Sequence, residues 1–490
     1  MVQLSKEVEA FLDEDHHLFI NGEFRPSQSQ KTFEVFNPAT GQVLSHVSEA
    51  DEGDVDKAVQ AAKKAFETGP WKEMSAADRA SLMYRLAELI KQHERQLAEI
   101  DALNNGKPIH EVQGNDIPNA VGQFQYFAGW TTKNVGQTIP VSGNFLNYTK
   151  HEPVGVVGQI IPWNFPLMMA AWKIAPALAT GCTVVLKPAE QTPLSALYLA
   201  KLIKEAGFPD GVVNIVPGFG MPAGNALVKH PDVNKVAFTG STAVGKSIMK
   251  EAANTMKRVT LELGGKSPNI VFPDADLKKA IPGVFSAIMA NQGEVCSAGS
   301  RVYIHESVYE DVIKELEAYA KNVKQGPGID PETEMGPLVS RKQQERVISY
   351  IEKGKAEGAR LLTGGGHQKE GYFVEPTVFV DVKDSMSIAQ EEIFGPVVVA
   401  MPFKTIDEVV TRANDSPYGL AAGIWTESLS TAHQVADRLK AGSVWVNCYN
   451  LTDPASPFGG YKQSGFGREM GSYALTNYTE VKSVWIDLNE

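Results

Sequence analysis

The chain has 490 residues, 43% of them apolar and 21% charged, a composition that fits a folded protein of at least two domains and excludes a disordered or fibrous one. Its 58 acidic residues outnumber its 46 basic ones, and the formal charge of −12 opposes nucleic acid phosphates and anionic lipid, so neither partner is expected. The longest apolar stretches, such as FPLMMAAW (165–172), are too short to cross a bilayer.

The opening MVQLSKEVEAFLDEDHHLF has neither the apolar core of a secretory signal nor the Arg-rich pattern of a transit peptide, so no export is expected. Between about 53 and 105, Val55, Ala58, Val59, Ala62 and Phe66 recur at helical spacing, and a second amphipathic run spans Ala76 to Leu103. Both read as packing helices. From 150 to 263, the β-rich runs VGVVGQII, TVVLK, VVNIV, NKVAF and VTLEL alternate with helical stretches near 166–179, 195–206, 221–229 and 244–256. This order predicts right-handed crossovers and a mostly parallel, doubly wound, Rossmann-like sheet that binds ligands at the carboxyl ends of its strands.

A second α/β alternation follows residue 264, with VYIHE (302–306), a helix from Val308 to Val323 and another near 340–357. The stretches 138–153 and 476–488 alternate polar and apolar residues, as half-exposed strands do. A terminal strand of this kind often pairs with another subunit. The expected partition is therefore 1–130 with 153–263 as the first α/β domain, 264–465 as the second, and 131–152 with 472–490 as a small β extension for oligomerisation.

Three cysteines, Cys182, Cys296 and Cys448, form no CxxC pair, so neither a disulfide framework nor a zinc site is indicated, and a reducing, cytoplasmic setting is expected. Cys182 and Cys448 sit in apolar strand-like phrases and read as buried small hydrophobes. Cys296, in NQGEVCSAGSR, is surrounded by small residues that allow a substrate to approach.

Further candidates cluster at strand ends. The turn FTGSTAVGKS places Gly240, Ser241 and Gly245 where a helix begins, a place for a phosphate or simply a helix cap. LKPAEQTP puts Lys187 and Glu190 at the same edge, where they can bond ribose hydroxyls or stand as solvated loop charges. In IIPWNFP, two prolines bracket Trp163 and Asn164, and a rigid asparagine amide can stabilise an oxyanion or serve an Asx turn. Glu262, in LELGGKSPN, is a candidate general base. A thiol, a carboxylate, an amide donor and a dinucleotide together point to covalent oxidation of a carbonyl compound.

The phrases FINGEF, FNPATG, PWNFP, KPAEQTP, FTGST, LELGGKSP, NQGEVCSAGSR, EEIFGPV and SPFGGYKQSGFGRE, in this order along nearly the whole chain, resemble the NAD(P)-dependent aldehyde dehydrogenases of the hydrolytic type. The resemblance implies that the first domain binds NAD and that the second carries the nucleophile Cys296. It implies Glu262 as general base, Asn164 and the Cys296 backbone N–H as oxyanion donors, and Glu469 as a group assisting proton movement. For the cofactor it implies Ile161, Trp163, Lys187, Glu190, Gly240, Ser241, Gly245, Leu263, Gln343, Glu392 and Phe394. For the aldehyde it implies Phe165, Met169, Trp172, Val295, Ser297, Tyr449 and Phe458, with no metal.

The implied reaction passes through a thiohemiacetal and a thioester, and Glu262 favours release of the acid. The apolar and aromatic lining suits a broad range of aliphatic and aromatic aldehydes, with betaine aldehyde or an aminoaldehyde as the alternative, though Leu451 and Thr452 stand where betaine-specialised relatives tend to carry an aromatic residue. Glu190 favours NAD over NADP, because a carboxylate repels a 2′-phosphate. A homotetramer or homodimer is expected. A cysteine hydrolase would need a histidine base, and no histidine stands in a phrase of that kind; a binding role without turnover is the other alternative.

Overall fold

A computed structural model describes residues 3–489. The doubly wound sheet expected from the 150–263 alternation is present. Its five parallel strands, in spatial order Val213–Ile215, Thr183–Lys187, Val156–Ile160, Lys235–Thr239 and Arg258–Glu262, reverse direction of winding at Val156–Ile160. The switch point therefore lies between Val156–Ile160 and Lys235–Thr239, where such sheets open a crevice beyond their carboxyl ends. Two additions complete the sheet to eight strands. The hairpin Leu18–Ile20 and Glu23–Arg25 joins one edge, and Gly465–Phe466 pairs antiparallel with Leu261 and Glu262 at the other.

The helix Pro166–Thr180 is buried along its entire length, as its apolar composition on every face requires, and it ends at Gly181 in the left-handed conformation. The packing helices expected early in the chain are Glu52–Glu67, opened by a capping box between Asp51 and Asp54, and Ala76–Gln92 followed by Glu94–Asn104. Helix limits differ from expectation in two places. Only Asn225–Lys229 of the 221–229 stretch is α-helical, and the helix expected over 244–256 runs from Thr242 to Ala252 because Ser241 caps it earlier and a 3₁₀ turn replaces its end.

The second sheet has seven strands, in the order Arg360–Thr363, Thr377–Val380, Val397–Phe403, Arg301–His305, Pro268–Val271, Ala421–Trp425 and Ser443–Val446, all parallel except the first pair. The stretch 138–153 is two strands, Thr138–Ile139 and Phe145–Pro153, because Gly143 turns left-handed between them. With Thr479–Asp487 they form a separate three-stranded antiparallel sheet, in unbroken register from Thr479 opposite Pro153 to Asp487 opposite Phe145. No helix among the described residues is long and apolar enough to cross a membrane.

Candidate active site

A cleft of about 660 Å³ opens at the carboxyl edge of the first sheet, against loops of the second. Three strand ends of the first sheet build one side of it. After Val156–Ile160 come Trp163, Asn164 and Phe165; after Lys235–Thr239 come Gly240 and Ser241; Glu262 ends the third strand and Leu263 follows. Val295, Cys296 and Ser297 face them from the loop before Arg301–His305, and Gln343, Glu392 and Phe394 close the cleft from the second sheet's connections. Met169, Trp172, Phe458 and Glu469 complete the set of expected residues on the wall.

Cys296 is partly exposed to the cleft. Burial, with the carboxyls of Glu392 and Glu262 nearby, pushes its thiol up to about 12, against the opposing N–H groups of Ser297 and of Cys296 itself. Its loop can come this close to the first sheet because residue 265 is glycine: a Cβ there would stand 2.3 Å from the Cys296 carbonyl oxygen. The loop begins with Asn291 and Gln292, two consecutive non-glycine residues at positive φ, 46° and 55°, a conformation that costs energy and persists only where surroundings enforce it. The enforcement is visible. Asn291 donates its side-chain amide to the Asn164 carbonyl at 2.8 Å, and Asn164 donates its own to the Glu294 carbonyl at 2.7 Å. One hydrogen of the Asn164 amide is thus used to fix its orientation and the other is free for a ligand.

Both carboxylate oxygens of Glu262 are buried without a partner. Burial, reinforced by Glu469, raises this carboxyl well above its ordinary range, while Lys173 and Arg468 oppose the shift. Glu469 is held by a buried ion pair with Lys173, from the helix Pro166–Thr180. Glu392 accepts the Gly265 N–H at 3.0 Å with one oxygen, and burial raises its carboxyl to about 7. Gln343 donates to the Phe394 carbonyl at 2.6 Å, and Phe394 meets Trp163 edge to face at 5.2 Å.

Five expected residues, Ile161, Lys187, Glu190, Gly245 and Tyr449, stand off the wall. Ile161 is buried and donates its N–H to the Lys187 carbonyl. Lys187 is buried with its ammonium on the carbonyls of Pro188 and Gly218, at 2.7 and 2.6 Å, and 3.8 Å from Glu190; burial lowers it to about 8. Gly245 lies beneath the helix start, where a Cβ would come within 2.6 Å of Leu263. Tyr449 stands behind the cysteine loop and donates its hydroxyl to the Ser297 carbonyl at 2.9 Å. Ser241, on the wall, caps its helix by accepting from Val244 N–H at 3.4 Å. Of the other cysteines, Cys182 is buried as expected, but Cys448 is half-exposed, because it follows the last strand of the second sheet and not its interior.

The cleft also holds residues the sequence did not single out. Thr239 lines it with a buried, unpartnered hydroxyl, Arg346 lies one turn beyond Gln343 on the helix Arg341–Ala356, and Asn115 and Asn450, with the already noted Thr452, make part of the wall polar. Arg346 shares a helix face with Gln343 at i+3, a spacing visible in the sequence. Lys173 and Asn115 carried no local signal, since a charged or amide residue alone reads as solvated.

Residues 24–484 match the sequence pattern of the aldehyde dehydrogenase family. The chain is 54% identical over 474 residues to human mitochondrial aldehyde dehydrogenase, a match that covers 96% of this chain and 92% of that protein. Its structure is similar to the NAD⁺ complex of aldehyde dehydrogenase from Bacillus cereus, with a TM-score of 0.99, 62% identity and 100% of both chains covered. It is also similar to betaine aldehyde dehydrogenase from Staphylococcus aureus in complex with NAD⁺, with a TM-score of 0.97, 40% identity and coverage of 100% of this chain and 98% of that one.

Proposed function

The chain belongs to the aldehyde dehydrogenase family, and from that premise we propose that it oxidises a broad range of aliphatic and aromatic aldehydes to carboxylic acids through a covalent intermediate on Cys296. The observation that carries this reading is the convergence of Cys296, Glu262 and the Asn164 amide on one cleft.

The cleft fits NAD. The unpartnered Thr239 hydroxyl and the helix start at Ser241 suit phosphate, and the second oxygen of Glu392 suits a ribose hydroxyl, with Gln343, Trp163, Leu263 and Phe394 alongside. Lys187, Glu190 and Ile161 lie at the same sheet edge and extend that site, and the Glu190 carboxylate favours NAD over NADP. Gly245 supports it from below. The passage of the chain from the first sheet to the second between Glu262 and Pro268 supports a cofactor domain followed by a catalytic domain.

Once its proton has passed to water in the cleft, Cys296 attacks the aldehyde carbon as thiolate, and the oxygen that takes up the charge meets the Asn164 amide and the Cys296 backbone N–H; each such donor is worth about 3 kcal/mol. Bound NAD⁺ supplies the acceptor for the hydride that leaves this thiohemiacetal. A thioester remains on Cys296. Glu262 takes a proton from a water molecule as the water oxygen bonds to the thioester carbon, the carbon–sulfur bond breaks to return the Cys296 thiolate, and the acid departs. The raised pKa of Glu262 makes it a stronger base than a solvated carboxylate. Glu469, held by Lys173, accompanies the proton.

Phe165, Met169, Trp172, Val295, Ser297 and Phe458 form the aldehyde channel, with Tyr449 bracing the Ser297 carbonyl. A betaine or amino aldehyde is the second reading, favoured by the edge-to-face pair of Trp172 and Phe458 at 5.4 Å. Thr452 on the wall and the exposed Leu451 leave that cage without a further aromatic side. A cytoplasmic homotetramer or homodimer is part of the proposal, supported by the apolar residues exposed on the three-stranded sheet.

Glu262→Gln tests the mechanism. The variant is expected to release one burst of NADH and then stall, whereas wild-type kcat rises with pH over a range above that of ordinary carboxylates, because the base works only when ionised. A variant without a burst, or one that turns over as the wild type does, contradicts the assignment of Glu262 to hydrolysis.

A further inference from the structure

Lys107 is 1% exposed, in a segment, NNGKP (104–108), that the chemistry above does not use. Its ammonium pairs with Asp116 and stands 3.6 Å from the centroid of the Phe165 ring. Both contacts lead to the cleft. Phe165 is on its wall directly after Asn164, and Asp116 ends the π-turn Val112–Asp116, whose Gly114 and Asn115 line the same cleft. Asn115 donates to Asp116 at 2.9 Å, which links the ion pair to the lining. Two residues before Lys107, Asn105 donates to the Trp163 carbonyl at 2.9 Å, so the same segment also pins the backbone of the asparagine turn. A buried ammonium has given up its water and needs such partners, and a cation over a ring is worth most where water is excluded. π-turns of this kind frequently occur at functional sites.

We propose that Lys107 is a positioning residue that sets substrate preference. It braces Phe165 and the Val112–Asp116 turn as two walls of one channel, so that an aromatic aldehyde is held against a fixed ring, while a short aliphatic aldehyde does not depend on that wall. The inference rests on the aldehyde-oxidising reading of the cleft.

The double variant Lys107→Met/Asp116→Asn removes both charges together, because deleting the lysine alone would strand a buried carboxylate. KM and kcat are measured with benzaldehyde and with acetaldehyde, and calorimetry follows benzaldehyde binding to the Cys296→Ala protein with and without the double substitution. The expected result is a KM for benzaldehyde raised about tenfold relative to that for acetaldehyde, a matching loss of affinity, and a kcat for acetaldehyde within about twofold of wild type. Lys107→Arg, which keeps a cation, is expected to move the KM ratio by less than about threefold. A ratio and an affinity that do not change, or a KM raised equally for both aldehydes, overturns the proposal. If the double variant does not fold, Asp116→Asn alone, which frees the ammonium from the turn, is expected to move the ratio in the same direction, and an unchanged ratio there overturns it as well. Binding is read without turnover: loss of affinity in a protein whose wild type forms no NADH would refute the aldehyde-oxidising reading and leave the role of Lys107 standing.

Discussion

Glu294, two residues before Cys296, is fully buried, with one carboxyl oxygen accepting the Val339 N–H at 3.1 Å and the other without a partner. Burial raises its pKa well above the usual 4.5, so the folded protein keeps a proton that the unfolded chain releases. The stabilisation this group offers is complete below its unfolded pKa and declines as pH rises toward its folded one, by about 1.4 kcal/mol per pH unit. Glu294→Gln removes the proton requirement and keeps the shape. The melting temperature of this variant relative to wild type is expected to increase from pH 5 to pH 8 in calorimetry; a difference that is flat or falls with pH contradicts the argument. At this scale the sequence was legible where a residue's neighbours carried the signal. Cys296 among small residues and Asn164 between prolines stood out, but the buried lysines did not. Lys173 meets Glu469, 296 positions away in the chain, and nothing local distinguishes it from a solvated lysine.

Elements place these residues by close approach more than by secondary structure alone. The cysteine loop can lie on the first sheet only because Gly265 has no side chain, and the atom that a Cβ would strike is backbone, which cannot rotate away. Gly265→Ala is therefore expected to displace Cys296 by a fraction of an ångström and to lower kcat by about a hundredfold. Steady-state kinetics would check this, with circular dichroism to confirm the fold; wild-type kcat in a folded variant would show that the contact does not position Cys296 for the reaction. The alternation of strands and helices over 150–263 made the doubly wound sheet readable in advance, because period and element length are local properties. The eighth strand, Gly465–Phe466, was not readable. It is two residues long and pairs with Leu261 and Glu262 about two hundred residues earlier, so only tertiary packing defines it.

For the whole molecule, the three-stranded sheet is the feature that bears on assembly. Thr479–Asp487 forms one of its edges, and Phe145, Leu146, Val481, Trp485 and Ile486 are exposed on it. An edge of nine residues bearing apolar side chains invites pairing with another chain. Light scattering after gel filtration is expected to give a dimer or tetramer for the wild type and a smaller species for Val481→Glu/Trp485→Glu; a monomeric wild type contradicts the proposed assembly. All these parts are proposed to serve one thiol, and NADH formation by the purified protein tests this with a panel of aliphatic, aromatic, betaine and amino aldehydes, with NADP in parallel and Cys296→Ala as control. NAD-dependent turnover, preferred over NADP, is expected and disappears in Cys296→Ala; turnover with no aldehyde, or turnover that survives the loss of the thiol, contradicts a nucleophilic Cys296.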